Sequence, residues 1–288
     1  DQPDLQVALF VMQDLRTRYE ADGYVLVPGL LTNEALEPIR QAIAETVDQI
    51  AERCYAAGEI TQRYEDAPLS RRLAYIYQHA TTKKSMGWNR EVFSKAIYDL
   101  VTHPRLLALA EALVGPEVTV NGDYWVRTKL PNESLTTLPW HQDSGYYGAQ
   151  TAPEHILSVW VPLVDVDEHN GCMQFLPGSQ RWGLLPTAKD NDRHNIPTEE
   201  IETRGRVETL RMKVGDVVAF HNLTFHRSLM NSSPDIRWSI DLRYSPTGTP
   251  TDWLSKMGLF GFVARSRAQP ESVEPWSTWH ARRTQFQG

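Results

Sequence analysis

Two rhythms of apolar and polar residues divide the chain. Over roughly the first 115 residues the apolar positions recur every three or four residues. Leu36, Ile39, Ile43, Val47 and Ile50 form one face of a helix, with Thr32 and Asn33 as candidate caps. Pro104 sits where a first helical turn would begin, before Leu106, Leu107 and Leu109, and Gly115-Pro116 stops that run. Residues 66–85 are less periodic and are expected to be partly loop. An isolated apolar run, Tyr24 to Val27, is bounded by Gly23 and Pro28 and predicts a strand. The first twenty residues read as an amphipathic helix without the basic start and cleavage site of a signal peptide.

From Val118 the rhythm shortens. Strands are expected at 118–120, 124–128, 156–161, 172–176, 207–212, 216–220 and 237–243. Asn170-Gly171 is a hairpin-type turn signal between two of them, and Val214-Gly215-Asp216 is a second turn. Residues 189–203 are polar and are expected to be a loop insertion. Short strands punctuated by Gly, Asn and Pro predict a mainly β fold with flanking helices, whose core is a sandwich or a jelly-roll barrel. The expected organisation is one domain over 1–288: helical support to 116, a jelly-roll core over 117–246 and an aromatic-rich extension over 247–288.

Composition narrows the function classes. The net charge of −7 argues against a nucleic-acid partner, and no apolar run approaches the roughly 18 residues of a membrane span. Only two cysteines, Cys54 and Cys172, are present, so no disulfide framework is expected and a cytoplasmic location fits. A small-molecule partner remains the expectation; oligomeric state is not legible.

Candidate chemistry gathers around Pro139-Trp140-His141-Gln142-Asp143. On an extended segment alternate side chains share a face, so His141 and Asp143 can reach one metal while Gln142 points away. A second imidazole would come from His226 or His221. His226 is favoured, because Arg227-Ser228 follows it and Arg237 lies in the next apolar strand. Two imidazoles and one carboxylate can occupy three adjacent positions on a metal and leave the others open. The remaining histidines, His79, His103, His155, His169, His194 and His280, lack such spacing.

The ordered series of His141-Gln-Asp143, Asn170-Gly-Cys-Met-Gln-Phe-Leu-Pro-Gly-Ser179, Gly215-Asp216, His226-Arg-Ser228, Asn231-Ser-Ser233 and Arg237 resembles the phytanoyl-CoA dioxygenase family of Fe(II)/2-oxoglutarate oxygenases. Asp22-Gly-Tyr-Val-Leu-Val-Pro-Gly29 resembles that family's opening strand, and the likeness runs from about Tyr19 to Arg243. The resemblance implies a double-stranded β-helix of the cupin type, with Fe(II) as metal and 2-oxoglutarate and O2 as co-substrates. It implies His141, Asp143 and His226 as iron ligands. Arg237 and Ser228 would bind the distal carboxylate of 2-oxoglutarate, with Trp160, Arg127 and Lys129 near the same co-substrate. Arg243 is the competing arginine. Asp143 is intact, whereas related halogenases carry a small residue there, so oxygenation of a C–H bond, chiefly hydroxylation, is expected. Tyr146, Tyr147 and Trp88 are the candidate walls of a substrate pocket, with the C-terminal aromatic tail packed across part of the same end. Two other classes stay open: a non-catalytic jelly-roll binding module, and a zinc hydrolase using the same ligand types.

Overall fold

The structure, a computed structural model, describes residues 13–81, 87–190 and 193–286. The expected N-terminal helix is seen as α1 over residues 13–22; its first twelve residues lie outside the described residues. Strand β1 (Tyr24–Val27) follows. A helical layer comes next, made of α2 (Asn33–Ala56), α3 (Leu69–His79), α4 (Lys95–Val101) and α5 (Pro104–Val114). Thr32 caps α2 by accepting from the Ala35 amide, and Pro104 opens α5 as expected. The weakly periodic stretch before residue 85 contains α3, whose Leu73, Ile76 and Tyr77 are buried.

The β region contains β2 (Val118–Val120), β3 (Trp125–Lys129), the short helix α6 (Asp143–Tyr147), β4 (Leu157–Pro162) and β5 (Met173–Phe175). It continues through β6 (Ala188–Asp190), β7 (Arg193–Asn195), α7 (Thr198–Glu202), β8 (Glu208–Leu210), β9 (Val217–His221), β10 (His226–Ser228) and β11 (Arg237–Pro246). The chain ends in α8 (Asp252–Lys256), β12 (Phe262–Arg265) and α9 (Trp276–Gln285). The stretch expected as a loop insertion therefore carries a small hairpin, β6–β7, and a helical turn.

The large sheet runs β1-β9-β4-β11-β2-β12, with β3 also paired to β11; a smaller sheet runs β10-β5-β8. The two sheets form the expected jelly-roll core. The Asn170-Gly171 turn does not join neighbours in one sheet. It carries the chain from β4 in the large sheet to β5 in the small one, because each of those strands finds its partners elsewhere in the sequence. The C-terminal extension is likewise not an appendage, since β12 adds the last strand of the large sheet by pairing with β2.

Strand alternation explains what each face does. In β11, Trp238, Ile240, Leu242 and Tyr244 enter the core shared with α2–α5. Arg237, Ser239, Asp241, Arg243 and Ser245 fall on the opposite face, towards the small sheet. β9 behaves the same way: Val217 and Ala219 join the helix-side core, and Val218 and Phe220 the inter-sheet core with Trp160, Met173 and Phe175. The large sheet is thus apolar on its helical face and mixed on its inner face, where a site can form. No helix among the described residues is long and apolar enough to cross a membrane.

Candidate active site

His141 and His226 are joined by a two-way backbone bridge. The His141 N–H donates to the His226 carbonyl at 3.0 Å, and the His226 N–H returns the bond at 3.1 Å. Directly opposed residues on neighbouring strands project to the same side, and the ring centroids lie 4.1 Å apart. Beyond His141 the chain stays extended for one residue and then turns into α6, with Asp143 as its first residue. That turn swings Asp143 back beneath the rings. The Gln142 side chain points away, as expected, and bonds Gly183 O and Leu223 O at 2.8 Å.

Donor atoms of His141, Asp143 and His226 lie within 4.8 Å of one another, and all three residues are buried. Asp143 Oδ1 is 3.7 Å from His141 Nε2 and 3.5 Å from His226 Nε2. Neighbouring donors around an octahedral ion with bonds of about 2.1 Å would stand about 3.0 Å apart, so the two distances from Asp143 need contract only slightly. Each imidazole Nδ1 faces a backbone carbonyl, Pro139 O at 2.8 Å and Thr224 O at 2.9 Å. A carbonyl can only accept, so Nδ1 carries the proton in both rings and the Nε2 lone pairs point at the common centre. Burial pushes the His141 imidazole down to about 3 and lowers that of His226, which keeps both neutral and able to ligate. Burial raises the Asp143 carboxyl, but Arg243 and the two imidazoles more than offset it and hold it at about 2. Its second oxygen accepts from Ser158 Oγ and lies 3.4 Å from Arg243 Nε. One oxygen is thus held by protein and the other is left for a ligand. His221, the alternative imidazole, stands apart, stacked on His155 at 5.2 Å with its Nδ1 accepting from the Leu223 amide.

The triad lies in a wall shared by two compartments, with His141, Asp143, Leu138, Arg127 and Arg243 lining both. The smaller is a cationic cleft that also contains Arg237, Lys129, Ser228 and Trp160. Arg237 is 3% exposed, sits 5.2 Å over the Trp160 ring and donates to Ser239 Oγ. Its Nε has no hydrogen-bond partner and, among the described residues, it makes no ion pair. A buried guanidinium in that condition is suited to an incoming carboxylate. Ser228 Oγ accepts from Lys129 Nζ at 2.9 Å and from the Leu138 amide at 3.2 Å. With both lone pairs engaged, its O–H is left to donate to an acceptor in the cleft. Gly171 makes room for Lys129, since a Cβ there would lie within 2.4 Å of Lys129 Cε. The three donors would leave room on the metal for a chelating 2-oxo acid and for O2, and Arg237, with its orphaned Nε, fits the far carboxylate of such an acid.

The larger compartment is a cavity of about 460 Å³ lined by Tyr146, Tyr147, Trp125, Trp253 and Asp123 among others. Tyr146 meets the His141 ring edge-on at 5.3 Å, and Tyr147 stacks on Trp253 at 4.6 Å. Trp88, expected in this wall, is instead in the helix-side core against Trp238 at 5.5 Å. It pairs with Val126, whose side chain also faces the helices, so the alternation leaves Gly87 on the cavity side. Among the described residues of the C-terminal tail, the nearer part closes the cavity, through Trp253 and Met257, while Trp279 packs among the helices. Arg127 borders the co-substrate cleft but is held by Asp241, at 2.7 Å from both Nε and Nη2. Asp123, Ser158 and Asp241 were not singled out in the sequence. Each is a polar residue at an inward position of a strand or its lead-in, a period-two signal that could have found them.

Comparison with known proteins agrees with this geometry. The family model for phytanoyl-CoA dioxygenase (PhyH) matches residues 19–239. An L-proline trans-4-hydroxylase of Streptomyces griseoviridis is 26% identical over 82% of this chain and 88% of its own. The peroxisomal phytanoyl-CoA dioxygenase of Bos taurus is 24% identical over 80% of this chain and 67% of its own. Among solved structures, the epimerase SnoN in complex with Fe3+, alpha-ketoglutarate and nogalamycin RO aligns with a TM-score of 0.55 at 25% identity, over 84% of this chain and 87% of that one. EctD from S. alaskensis with 2-oxoglutarate and 5-hydroxyectoine shares the fold, with a TM-score of 0.59 at 19% identity over 80% of this chain and 74% of that one. The chain belongs to the phytanoyl-CoA dioxygenase family and is an iron- and 2-oxoglutarate-dependent oxygenase.

Proposed function

We propose that the protein hydroxylates a C–H bond of a small or medium organic molecule in the larger cavity, converting 2-oxoglutarate and O2 to succinate and CO2. One observation carries this reading: the triad stands between a cationic cleft suited to a dicarboxylate and a separate aromatic cavity. His141 Nε2, Asp143 Oδ1 and His226 Nε2 would hold Fe(II). The bound iron would supply O2 activation and the oxidising power for the C–H bond. Arg237 and the Ser228 hydroxyl bind the distal carboxylate, with Lys129 supporting Ser228. Ser158 and Arg243 fix the Asp143 carboxylate so that the same oxygen always faces the metal. Tyr146, Tyr147 and Trp253 exclude water and orient the substrate.

Relatives bear names that refer to proline, phytanoyl-CoA and ectoine, a range that leaves the substrate to the cavity itself. Its size and aromatic lining favour a compact molecule over an acyl-CoA. The test is succinate formation by the purified protein with Fe(II), 2-oxoglutarate and O2. Turnover should require Fe(II) and disappear in His226→Ala. Substrate hydrolysis supported by zinc, without 2-oxoglutarate consumption, would overturn the assignment in favour of a hydrolase. Absence of any metal-dependent turnover across a broad substrate screen would favour a binding module.

A further inference from the structure

We propose that the larger cavity takes a substrate bearing a protonated amine, with Asp123 as its counter-charge and Trp125, Tyr147 and Trp253 as the aromatic surround. This assignment rests on that cavity being the substrate site of the oxygenase.

The first support is the state of Asp123. It lines the cavity and is only 5% exposed. Its one hydrogen bond among the described residues comes from Trp125 Nε1 to Oδ1, at 2.7 Å, and it makes no ion pair there. Oδ2 is left without a protein donor. A carboxylate so deeply placed and so thinly solvated needs a second donor, and a charged donor satisfies it best.

The second support is that the other charges of the wall are already engaged. Arg127 is paired with Asp241 through two nitrogens at 2.7 Å. Arg243 Nε donates to Tyr147 Oη at 2.6 Å, and the guanidinium also faces Asp143 at 3.4 Å and Asp241 at 3.8 Å. An anionic ligand would have to compete with those carboxylates for either arginine, and would meet Asp123 as well. A cationic ligand displaces none of these pairs and gives Asp123 Oδ2 a direct donor, which the arginines within electrostatic reach of that carboxylate, Arg243 and Arg283, do not supply.

The third support is the setting. Asp123, Trp125 and Arg127 alternate onto the inner face, so the indole stands beside the carboxylate. Tyr147 and Trp253, stacked at 4.6 Å, furnish further ring surface in the same cavity. Aromatic surfaces around an anion hold an ammonium by cation–π attraction while sheltering the apolar remainder. The loop is braced in advance: the Asn121 N–H donates to Arg243 O at 3.0 Å, and Tyr124 Oη donates to Asn89 O at 2.7 Å. Asp123 is therefore held in position before a ligand arrives.

Phenethylamine, N-acetylphenethylamine and 3-phenylpropionate share a ring and differ mainly in charge, so they separate a cation site from a neutral or an anion site. Their binding is titrated calorimetrically, without O2, on protein loaded with Fe(II) and 2-oxoglutarate. The amine should bind roughly tenfold or more tightly than either analogue. Asp123→Asn, nearly isosteric, should erase that preference, and Asp123→Glu should retain part of it. Folding of both variants is checked by their melting curves and by 2-oxoglutarate titration. Equal or tighter binding of the amide or the acid, binding of none of the three, or an amine preference that survives in Asp123→Asn would each overturn the proposal. Protein that binds 2-oxoglutarate with Fe(II) but shows no amine preference loses the amine assignment alone. Protein that binds no 2-oxoglutarate loses the oxygenase reading on which it rests.

Discussion

The carboxylate of Asp143 and the hydroxyl of Ser158 are hydrogen-bonded across two segments that meet only in the folded chain. Ser158 lies on β4, between Leu157 and Val159, which both face the helices. Its inward hydroxyl takes the oxygen of Asp143 that faces away from the imidazoles. The other oxygen is thereby directed to the centre shared with His141 and His226.

Removing that bond should loosen the metal site without destroying it. Ser158→Ala is expected to weaken Fe(II) affinity by roughly 10- to 100-fold, the usual effect of deleting a partner behind a metal ligand. Asp143→Ala should abolish binding. A metal titration of Ser158→Ala indistinguishable from wild type would leave the orientation of Asp143 to Arg243 alone.

Arg237→Leu should weaken 2-oxoglutarate binding while iron binding persists. Leaving one member of a buried charge pair alone costs roughly 3–5 kcal/mol, which is more than a hundredfold in affinity. Anaerobic titration of 2-oxoglutarate measures it. An unchanged affinity would move the role to another cation lining the cleft, Lys129 or Arg243.

Tyr147→Ala removes the acceptor for Arg243 and the stacking partner of Trp253. Product formation should fall further than 2-oxoglutarate consumption, so that the ratio of product to succinate drops. Equal loss of both would place the effect at the metal, through Arg243 and Asp143. No loss would remove Tyr147 from the substrate wall.

Acid should destabilise the contact between α1 and the large sheet. His221 is pushed down from its ordinary 6.5 to about 4 by burial and then by His155, and His155 is lowered too, chiefly by burial. Tyr19 Oη meets His155 Nε2 at 2.8 Å in the same layer. The unfolded chain binds protons at these histidines more readily than the native one, so stability rises with pH across this range. The contribution is fully present above about pH 6.5 and is lost as pH falls towards 4. Urea unfolding at pH 7.5 and pH 5 should show the drop, and His221→Gln should shrink it. A drop of the same size in the variant would assign the effect to other groups.

Ile240→Ala should be costly for a different reason, since Ile240 is wholly buried against the helical layer. A cavity of that kind typically costs about 2–5 kcal/mol. A loss well below 1 kcal/mol in denaturant titration would mean that the helices can close onto the sheet.

The sequence by itself determined the helical first part, the change of rhythm near Val118 and the His141-x-Asp143 pair, and it favoured His226 over His221 as the second imidazole. Those features are local: a helix face, a two-residue alternation, a His-x-Asp spacing. Alternation along the paired strands β3 and β11 puts Arg127 with Lys129, and Arg237 with Asp241 and Arg243, on shared faces, although Asp241 drew no attention in the sequence. Strand pairing was decided by tertiary structure, because β11 selects β4, β3 and β2 from far along the chain. That choice sent β4 and β5 to different sheets despite the turn between them, drew β12 into the sheet, and turned Trp88 to the helices. It also made His226 rather than His221 the ligand-like imidazole, since only His226 lies opposite His141 in the backbone bridge. Register between distant strands is a property of the packed whole, and a shift of one residue would reverse every inward side chain.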